Sequence, residues 1–329
     1  MLTIYLRFIV SLIKFSSVRT SHSDRMPHPP LSPATSSYRV VSTHKKDACI
    51  LDVKNDQPIK AHLTRNLRPV CGDYVTLERF CNGNARVSGI IPRTNHFARA
   101  DRKGHPQIIA ANIDHNIIVV AVKPAPTRDL INRYLVASHT CHVTPLLVFN
   151  KADLDPNYFT KTAQCYRELG YKTFQVSAKN MNGIESLLRE FAGKTSILVG
   201  QSGVGKSSLS RVVLKNNNLK TGDLSHKTGK GAHVTSVTRL YRLPDTTGFL
   251  IDSPGVWEYG LWNMSTQQVA AGFIEFHPYL DRCKFNDCSH LHEPGCAVQR
   301  AVDENQIMLD RYQSYVRIVK SMKKNHEKK

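Results

Sequence analysis

The sequence predicts an α/β fold in which a parallel-sheet domain follows a small β-barrel and precedes an α-rich segment. Five short β-type runs lie between Arg39 and Pro92, separated by Asn, Asp, Pro and Gly. From Asn116 onward, apolar strand-like runs alternate with helical patterns, which is typical of a parallel sheet covered by helices. Past Gly255 this alternation stops, and a group of cysteine and histidine residues appears.

The composition indicates a polyanionic partner and reduced thiols. The chain has 329 residues, enough for two or three domains, and 45 Lys+Arg against 26 Asp+Glu give a net charge of +19. This excess favours nucleic acid first and an anionic membrane second, and a basic protein with neither partner is the alternative. The 8 cysteines are too sparse for a secreted disulfide framework. We therefore expect a cytoplasmic location.

Residues 1–37 are predicted to be a disordered or mis-annotated extension. The apolar run at the start is interrupted by Arg7 and Lys14, and it is shorter than the about 20 residues that a membrane span needs. A Pro/Ser-rich stretch without a core of its own follows it. We expect no membrane association; an interfacial anchor is one alternative, and a true start at Met26 is another.

Five strands in a short segment suit a small barrel, of which the OB-fold is the common nucleic-acid-binding version; an SH3-like barrel would give the same pattern. The segment has a basic character, which comes from Lys45, Lys46, Lys60, Arg65 and Arg68. We predict an OB-like RNA-binding domain over residues 38–100, an α/β domain over 101–258 and a C-terminal domain over 259–329.

A phosphate-binding loop stands between a predicted strand and a predicted helix. Residues 200–207 read G-Q-S-G-V-G-K-S and fit G-x-x-x-x-G-K-[ST] in the required context. The glycines let backbone N–H groups surround phosphate oxygens, Lys206 can reach the β- and γ-phosphates, and the Ser207 hydroxyl can ligate Mg²⁺. The predicted phosphate-binding residues are Gly200, Gln201, Ser202, Gly203, Val204, Gly205, Lys206, Ser207 and Ser208.

Two motifs at strand ends predict the base. In N-K-A-D, the Asp153 carboxylate can accept hydrogen bonds from the N1–H and 2-amino groups of guanine, and because adenine offers no such pair, rejection of about 10⁴ is expected. In S-A-K, the Ala178 N–H can donate to the guanine oxygen. The predicted base-binding residues are Asn150, Lys151, Asp153, Ser177, Ala178 and Lys179. An ATPase or kinase with a chance N-K-A-D is the alternative.

Two further segments are predicted to sense the third phosphate. In D-S-P-G, Asp252 can hold Mg²⁺ through water and the Gly255 N–H can meet the γ-phosphate. In G-A-H-V-T-S, residues 231–236, a hydroxyl can complete the Mg²⁺ shell; we choose Thr235, with Ser236 second. Such segments order with GTP and release after hydrolysis.

These motifs occur in a rotated order: base recognition, phosphate loop, first switch, second switch. A parallel sheet collects its ligand groups at the carboxyl ends of its strands whichever strand comes first, so the rotation preserves the site. It also places the Asp252–Gly255 segment directly before the C-terminal domain. We infer that the nucleotide state can be passed to that domain mechanically.

In this order the motifs resemble the circularly permuted bacterial GTPases of small ribosomal subunit biogenesis, the RsgA/YjeQ family. The resemblance extends from Arg39 to the C-terminus and includes the linker ADRKGHPQIIAANIDH. It implies a circularly permuted P-loop GTPase domain with an N-terminal OB-like β-barrel and a C-terminal zinc-binding α-rich domain. It also implies a GTP hydrolase, stimulated by the 30S subunit, that assists late subunit maturation through contact with 16S rRNA; we expect a monomer. An RNA-binding assembly factor with GTP as a structural ligand is the alternative.

The resemblance also implies a catalytic histidine. Val256 stands where a typical second switch has a Gln that orients the attacking water, and a valine cannot hydrogen-bond water. Similar GTPases are thought to use a first-switch histidine, which maps onto His233, so the predicted catalytic residues are His233, Lys206 and Thr235. By geometry alone His233 could be a bystander. The chain departs from the family in reading Val-Thr-Ser after His233, where three threonines are frequent.

The C-terminal cluster has the pattern Cys283-x₄-Cys288-x-His290-x₅-Cys296. Three thiolates and one imidazole can form a closed, structural Zn²⁺ site, and three unpaired thiols with a redox role are the alternative. The resemblance implies His290 as the fourth ligand, with His292 as runner-up. Zinc would supply about 10 kcal/mol or more of local folding energy to a segment with a small core.

Overall fold

The computed structural model of the protein describes residues 37–80, 83–100, 106–127, 129–215, 238–244, 246–253 and 264–326. These residues form a closed barrel, a two-stranded ribbon, a six-stranded sheet flanked by helices, and a helical C-terminal segment. The order of barrel, α/β sheet and α-rich segment is the one that the sequence predicts.

The barrel comprises β1 (Tyr38–Thr43), β2 (Asp47–Asp52), β3 (Gln57–His62), β4 (Tyr74–Arg79) and β5 (Ala85–Ile90). Its strands close in the order β1-β2-β3-β5-β4, and only the β3–β5 pair is parallel among the described pairs. Alternate side chains point inward, as a half-buried strand requires. The buried interior consists of Val40, Ala48, Ile50, Ala61, Val75, Ala85 and Val87.

An antiparallel ribbon follows the barrel. It consists of β6 (His96–Ala100) and β7 (Pro106–Ala111). The predicted linker ADRKGHPQIIAANIDH therefore contains a strand, β7. Phe97 and Ala110 are fully buried and join the core on one face of the six-stranded sheet.

The sheet has the order β10-β9-β8-β11-β13-β12, and only β12 is antiparallel to its neighbour. Its strands are β8 (His115–Ala121), β9 (Thr144–Asn150), β10 (Lys172–Gln175), β11 (Thr195–Val199), β12 (Arg239–Arg242) and β13 (Phe249–Asp252). The parallel strands end at one edge of the sheet. The base motifs, the phosphate loop and the D-S-P-G segment all begin there.

Helices cover both faces of this sheet. They are α1 (Leu130–Thr140), α2 (Thr160–Glu168), α3 (Ile184–Arg189) and α4 (Lys206–Val213). Ile118 and Val120 of β8 pack with residues of α1 and α2, while Ile117 and Val119 pack with residues of α3 and α4. Burial on both faces explains why β8 is a continuous apolar run.

The C-terminal segment packs on α1. It contains α5 (Thr266–Ala271), a 3₁₀ turn (Ile274–Phe276), α6 (His277–Leu280), α7 (Ala297–Asp303) and α8 (Leu309–His326). Val136 and Ala137 of α1 share its core with Phe273, Phe276 and Tyr315. None of the helices in the described part of the chain combines the length and the apolar character that crossing a membrane requires.

A buried arginine lies between the barrel and the sheet. Arg39 of β1 is 1% exposed, and its guanidinium stands 5.0 Å from the ring centre of Tyr74 and 4.7 Å from that of Phe249 on β13. It donates hydrogen bonds to the carbonyls of Gly72 (3.4 Å) and Asn112 (3.2 Å). Burial lowers the pKa of Arg39 from its usual value, but guanidinium remains charged in proteins.

Candidate nucleotide-binding site and metal centre

The phosphate loop leaves β11 after Val199 and enters α4 at Lys206. Gly200 and Gly205 have φ values of 143° and 97°, in the region that favours glycine. A Cβ at Gly200 would collide with the carbonyl of Val119, and one at Gly205 with the side-chain amide of Asn150. The loop therefore requires glycine at both positions for its shape and for its contact with the base motif.

Lys206 is folded back over the loop. Its Nζ donates to the carbonyls of Gly200 and Gln201, both at 2.7 Å. Burial lowers the pKa of Lys206 to about 8 and raises the pKa of Asp252 to about 7, and the charge of each partly offsets the effect on the other. Lys206 of the loop and Asp252 at the end of β13 thus place a cation and a carboxylate together in a poorly solvated site, which suits a Mg²⁺–phosphate group.

The N-K-A-D motif is bonded to the phosphate loop. Asn150 Nδ2 donates to the Val204 carbonyl at 2.9 Å, although the two residues are separated by 54 positions. Lys151 Nζ donates to the Gly203 carbonyl at 2.7 Å. The base-recognition and phosphate-binding motifs, inverted in the sequence, are therefore neighbours in space.

The S-A-K motif completes this side of the site. Ser177 Oγ donates to Asp153 Oδ1 at 2.5 Å, and the Ala178 N–H donates to Asn150 Oδ1 at 3.3 Å. The hydrogen bond from Ser177, together with the charges of Lys179 and Lys151, holds the pKa of Asp153 below its usual range. Asp153 is thus an ionised acceptor, as guanine recognition requires.

These groups surround a cavity of about 510 Å³. Its lining comprises Asn150, Lys151, Asp153, Leu154, Ser177, Ala178, Lys179, Gly205, Ser208, Arg211 and Val212. Sequence reasoning missed Leu154, Arg211 and Val212. The signal for the last two is their position on α4 one turn beyond Ser207 and Ser208, because side chains three and four residues apart share a helix face.

The second switch is described only at its start. Asp252 ends β13, next to the phosphate-loop strand β11, and the hydroxyls of Ser253 and Thr238 are 2.9 Å apart. The other predicted switch residues, His233, Thr235, Ser236, Gly255 and Val256, lie outside the described residues. Their roles stay predictions.

The C-terminal cluster has the donor set of a tetrahedral metal site. One ligand atom from each of Cys283, Cys288, His290 and Cys296 lies within 4.8 Å of all the others. His290 Nδ1 is 3.6 Å from Cys283 Sγ and 3.4 Å from Cys296 Sγ. Tetrahedral zinc, with Zn–S of about 2.3 Å and Zn–N of about 2.0 Å, requires a spacing of about 3.5 Å, so the residues fit this ion. His292 is exposed and does not belong to the group.

A carboxylate and two tyrosines support the turn that carries these ligands. Glu293 accepts the backbone N–H groups of Ser289 (2.9 Å) and Leu291 (3.1 Å). Although burial acts in the opposite direction, hydrogen bonds from the Ser289 hydroxyl and from the backbone N–H groups of Ser289 and its neighbours hold the pKa of Glu293 well below its usual range. Tyr312 of α8 donates to the His290 carbonyl at 2.8 Å, and Tyr315 donates to the Ser289 carbonyl at 2.6 Å. The turn is thus fastened to α8.

Comparison with known proteins decides the family. A family model described as RsgA GTPase matches residues 90–262. The chain belongs to the RsgA GTPase family. A relative from Ectopseudomonas mendocina, named small ribosomal subunit biogenesis GTPase RsgA, is 43% identical over 271 residues, which cover 81% of this chain and 79% of that protein. A protein of the same name from Haemophilus influenzae is 42% identical over 282 residues, covering 82% and 81%.

Solved structures agree with this RsgA GTPase assignment. YjeQ from Thermotoga maritima superposes with a TM-score of 0.71 at 28% identity, covering 87% of this chain and 97% of that one. YloQ, described as a circularly permuted GTPase, gives a TM-score of 0.70 at 24% identity, covering 88% and 95%, and shows the fold. The predicted fold class, a circularly permuted GTPase with an N-terminal barrel and a C-terminal Cys/His cluster, is confirmed.

Proposed function

We propose that this GTPase binds the small ribosomal subunit and assists its late maturation, hydrolysing GTP to GDP and phosphate with stimulation by the subunit. The observation that carries the proposal is the contact between the base motif and the phosphate loop. Asn150 of the base motif donates a hydrogen bond to the Val204 carbonyl of the loop. The names of the relatives, which align over about four-fifths of the chain, supply the partner.

In the proposed site, the base and the phosphates occupy opposite ends of the cleft between β9 and α4. Asp153, Asn150 and Ala178 hold the guanine edge, with Lys151 along its face and Ser177 and Lys179 fixing Asp153. The loop from Gly200 to Ser208 holds the phosphates. Ser207 and Thr235 would ligate Mg²⁺, and Asp252 would bind it through water. The directed hydrogen bonds between these motifs and the buried charge of Lys206 support this arrangement.

We propose zinc as the metal of the C-terminal centre, with a structural role. Three thiolates and one imidazole leave no open position for a substrate. The hydrogen bonds from Tyr312 and Tyr315 of α8 to the turn that carries the ligands support a structural role for the site. When bound, zinc would supply cross-linking between the loop and the helices around it.

We propose that the domain over residues 38–100, which contains the barrel, contacts 16S rRNA, and that the protein acts as a cytoplasmic monomer. The net charge of +19 supports a polyanionic partner. A groove of about 1520 Å³ on the barrel supports an RNA contact because its rim is basic. The cationic lining residues are Lys45, Lys46, Arg65, Arg68 and Arg93.

Phosphate release by the full chain, titrated with purified small subunits, tests the proposed function. We expect slow release without subunits and an increase of at least about 10-fold with them, because an RNA-rich partner would arrange the switch that orients water. Large subunits serve as the control. GTP binding without any stimulation would favour the alternative, an assembly factor that holds GTP as a structural ligand.

His233→Ala examines the catalytic step within the same assay. Loss of a group that positions or deprotonates water costs about 10²-fold or more in rate, while nucleotide binding persists. Equal turnover in the variant and the unmodified protein would remove His233 from the mechanism.

Asp153→Asn tests the choice of guanine. The amide can no longer accept two charge-assisted hydrogen bonds, so we expect GDP affinity to fall by roughly 30- to 100-fold while ATP remains a weak ligand. Competition binding with GDP and ATP measures the preference. An unchanged preference would indicate an ATP-type site in which N-K-A-D plays no part.

A further inference from the structure

The segment between β8 and α1 lies against the phosphate loop. The carbonyl of Lys123 accepts a hydrogen bond from Lys151 Nζ at 2.5 Å. A Cβ at Gly203 would stand 3.4 Å from Cδ of Pro124, so the proline ring lines the loop there. Thr127 Oγ1 is 3.5 Å from Gln201 Nε2. A shift of residues 123–127 would therefore change the position of the loop.

An ion pair with the C-terminal domain fixes the end of this segment. Asp129 precedes α1 with φ of 65°, a left-handed conformation that is uncommon outside glycine. Its two carboxylate oxygens accept from Arg317 Nε at 2.8 Å and from Nη2 at 2.7 Å, across 188 positions. The Asp129 side chain is 9% exposed, so solvent screens this two-bonded pair less than a surface pair.

Neighbouring contacts keep α8 and α1 in a fixed position. Asn132 Nδ2 donates to Ser314 Oγ at 2.6 Å, and Arg133 Nη2 donates to Ser321 Oγ at 2.7 Å. One turn from Asp129, the nearly buried Tyr134 hydroxyl hydrogen-bonds the backbone of Gly200. The first turns of α1 thus lie between the phosphate loop and α8.

We propose that Arg317, acting through Asp129, is a positioning residue for the phosphate loop, so that the placement of the C-terminal domain sets nucleotide affinity. The inference rests on the proposed nucleotide site. Arg317 does not line the nucleotide cavity. It holds the segment whose Pro124 and Thr127 contact the loop and whose Lys123 contacts Lys151 of the base motif. A macromolecule that pulls on α8 would alter nucleotide affinity, and by reciprocity the nucleotide would alter the affinity for that macromolecule.

GDP affinity of the full chain tests the inference in the absence of ribosomal subunits. We expect Arg317→Ala and Asp129→Asn each to weaken GDP binding by about 3- to 10-fold. Because both act through one pair, the double variant should lose no more than either single variant. Arg317→Lys, which keeps the charge but not the planar fork, should show a smaller loss.

Arg242→Ala is the matched control. Arg242 is another arginine that joins two parts of the fold, since it donates to Asp56 at 3.0 Å and to the Val53 carbonyl at 3.2 Å on the barrel side. We expect unchanged GDP affinity in this variant. Unfolding temperatures of all variants separate a general loss of stability from a local effect on the loop.

Three results would overturn the inference: GDP binding by Arg317→Ala at the unmodified affinity, losses that add in the double variant, or an equal loss in Arg242→Ala. If Arg317→Ala fails to fold, Arg317→Lys and Asp129→Asn are judged by the same criteria. An unmodified protein that fails to bind GDP would overturn both this inference and the proposed site. If the variants lose GDP affinity as expected, but small subunits do not stimulate GTP hydrolysis by the unmodified protein, only the proposed partner would be overturned.

Discussion

Replacing Lys206 by alanine is expected to abolish tight nucleotide binding, with an affinity loss of at least about 10³-fold, or roughly 4 kcal/mol. The Lys206 ammonium is the cation folded over the phosphate loop, bonded to the carbonyls of Gly200 and Gln201. Without it, the Asp252 carboxylate and the nucleotide phosphates would lose the ammonium charge that offsets their mutual repulsion. Titration calorimetry with GDP and with a non-hydrolysable GTP analogue measures the loss.

Lys172→Ala provides the control for this substitution. Lys172 begins β10 and pairs with Glu190 at 2.8 Å on an exposed surface. Because exposed ion pairs contribute little, we expect both folding and nucleotide affinity to be retained. Retained affinity in Lys206→Ala would mean that the glycine-rich loop is not the phosphate site.

Removing the metal should unfold the C-terminal domain, the second large effect that the structure implies. Cys288 and Cys296 belong to the same core as Phe276 and Tyr315, so the ligands and the apolar core depend on each other. Structural zinc contributes about 10 kcal/mol or more, which exceeds what so small a core supplies. Chelator titration, followed by metal release and far-ultraviolet circular dichroism, should show one zinc per chain and loss of helix as the metal leaves.

Cys296→Ser should reproduce this effect, whereas Cys165→Ser should not. Cys165 is exposed on α2 and remote in sequence from the cluster. Metal loss that leaves the helical signal and the unfolding temperature unchanged would contradict a structural role. A protein purified without zinc, yet fully folded, would favour the redox interpretation of the three thiols.

The parts of this fold that the sequence predicts are those with a repeating or contiguous pattern. The apolar run of β8 indicates a strand buried on both faces, and the G-K-S loop predicts a strand before it and a helix after it. The rotated order of motifs could also be recognised, because each motif ends a strand and parallel strands share one edge. For these elements, the local residue pattern and the position of the element in the fold agree.

The contacts that the sequence leaves hidden are single long-range pairs. Arg39 looks like one more surface charge in a basic chain, yet it is buried between two aromatic rings. Asp129 and Arg317 are 188 positions apart and carry no local periodic signal. Such pairs depend on tertiary packing, which a pattern of residue types does not encode.

The contacts of Arg39 with the rings of Tyr74 and Phe249 also bear on whether the barrel can be separated from the sheet. Sliding the barrel along β13 would move the permanent cation of Arg39 away from the Phe249 ring and from the Asn112 carbonyl, so the contact resists shear as well as separation. A truncated chain lacking the barrel would leave Phe249, which begins the strand leading into the second switch, without its contact to Arg39. The barrel therefore covers one side of the sheet that carries the nucleotide site, and we expect its removal to reduce both GTP hydrolysis and the proposed RNA contact.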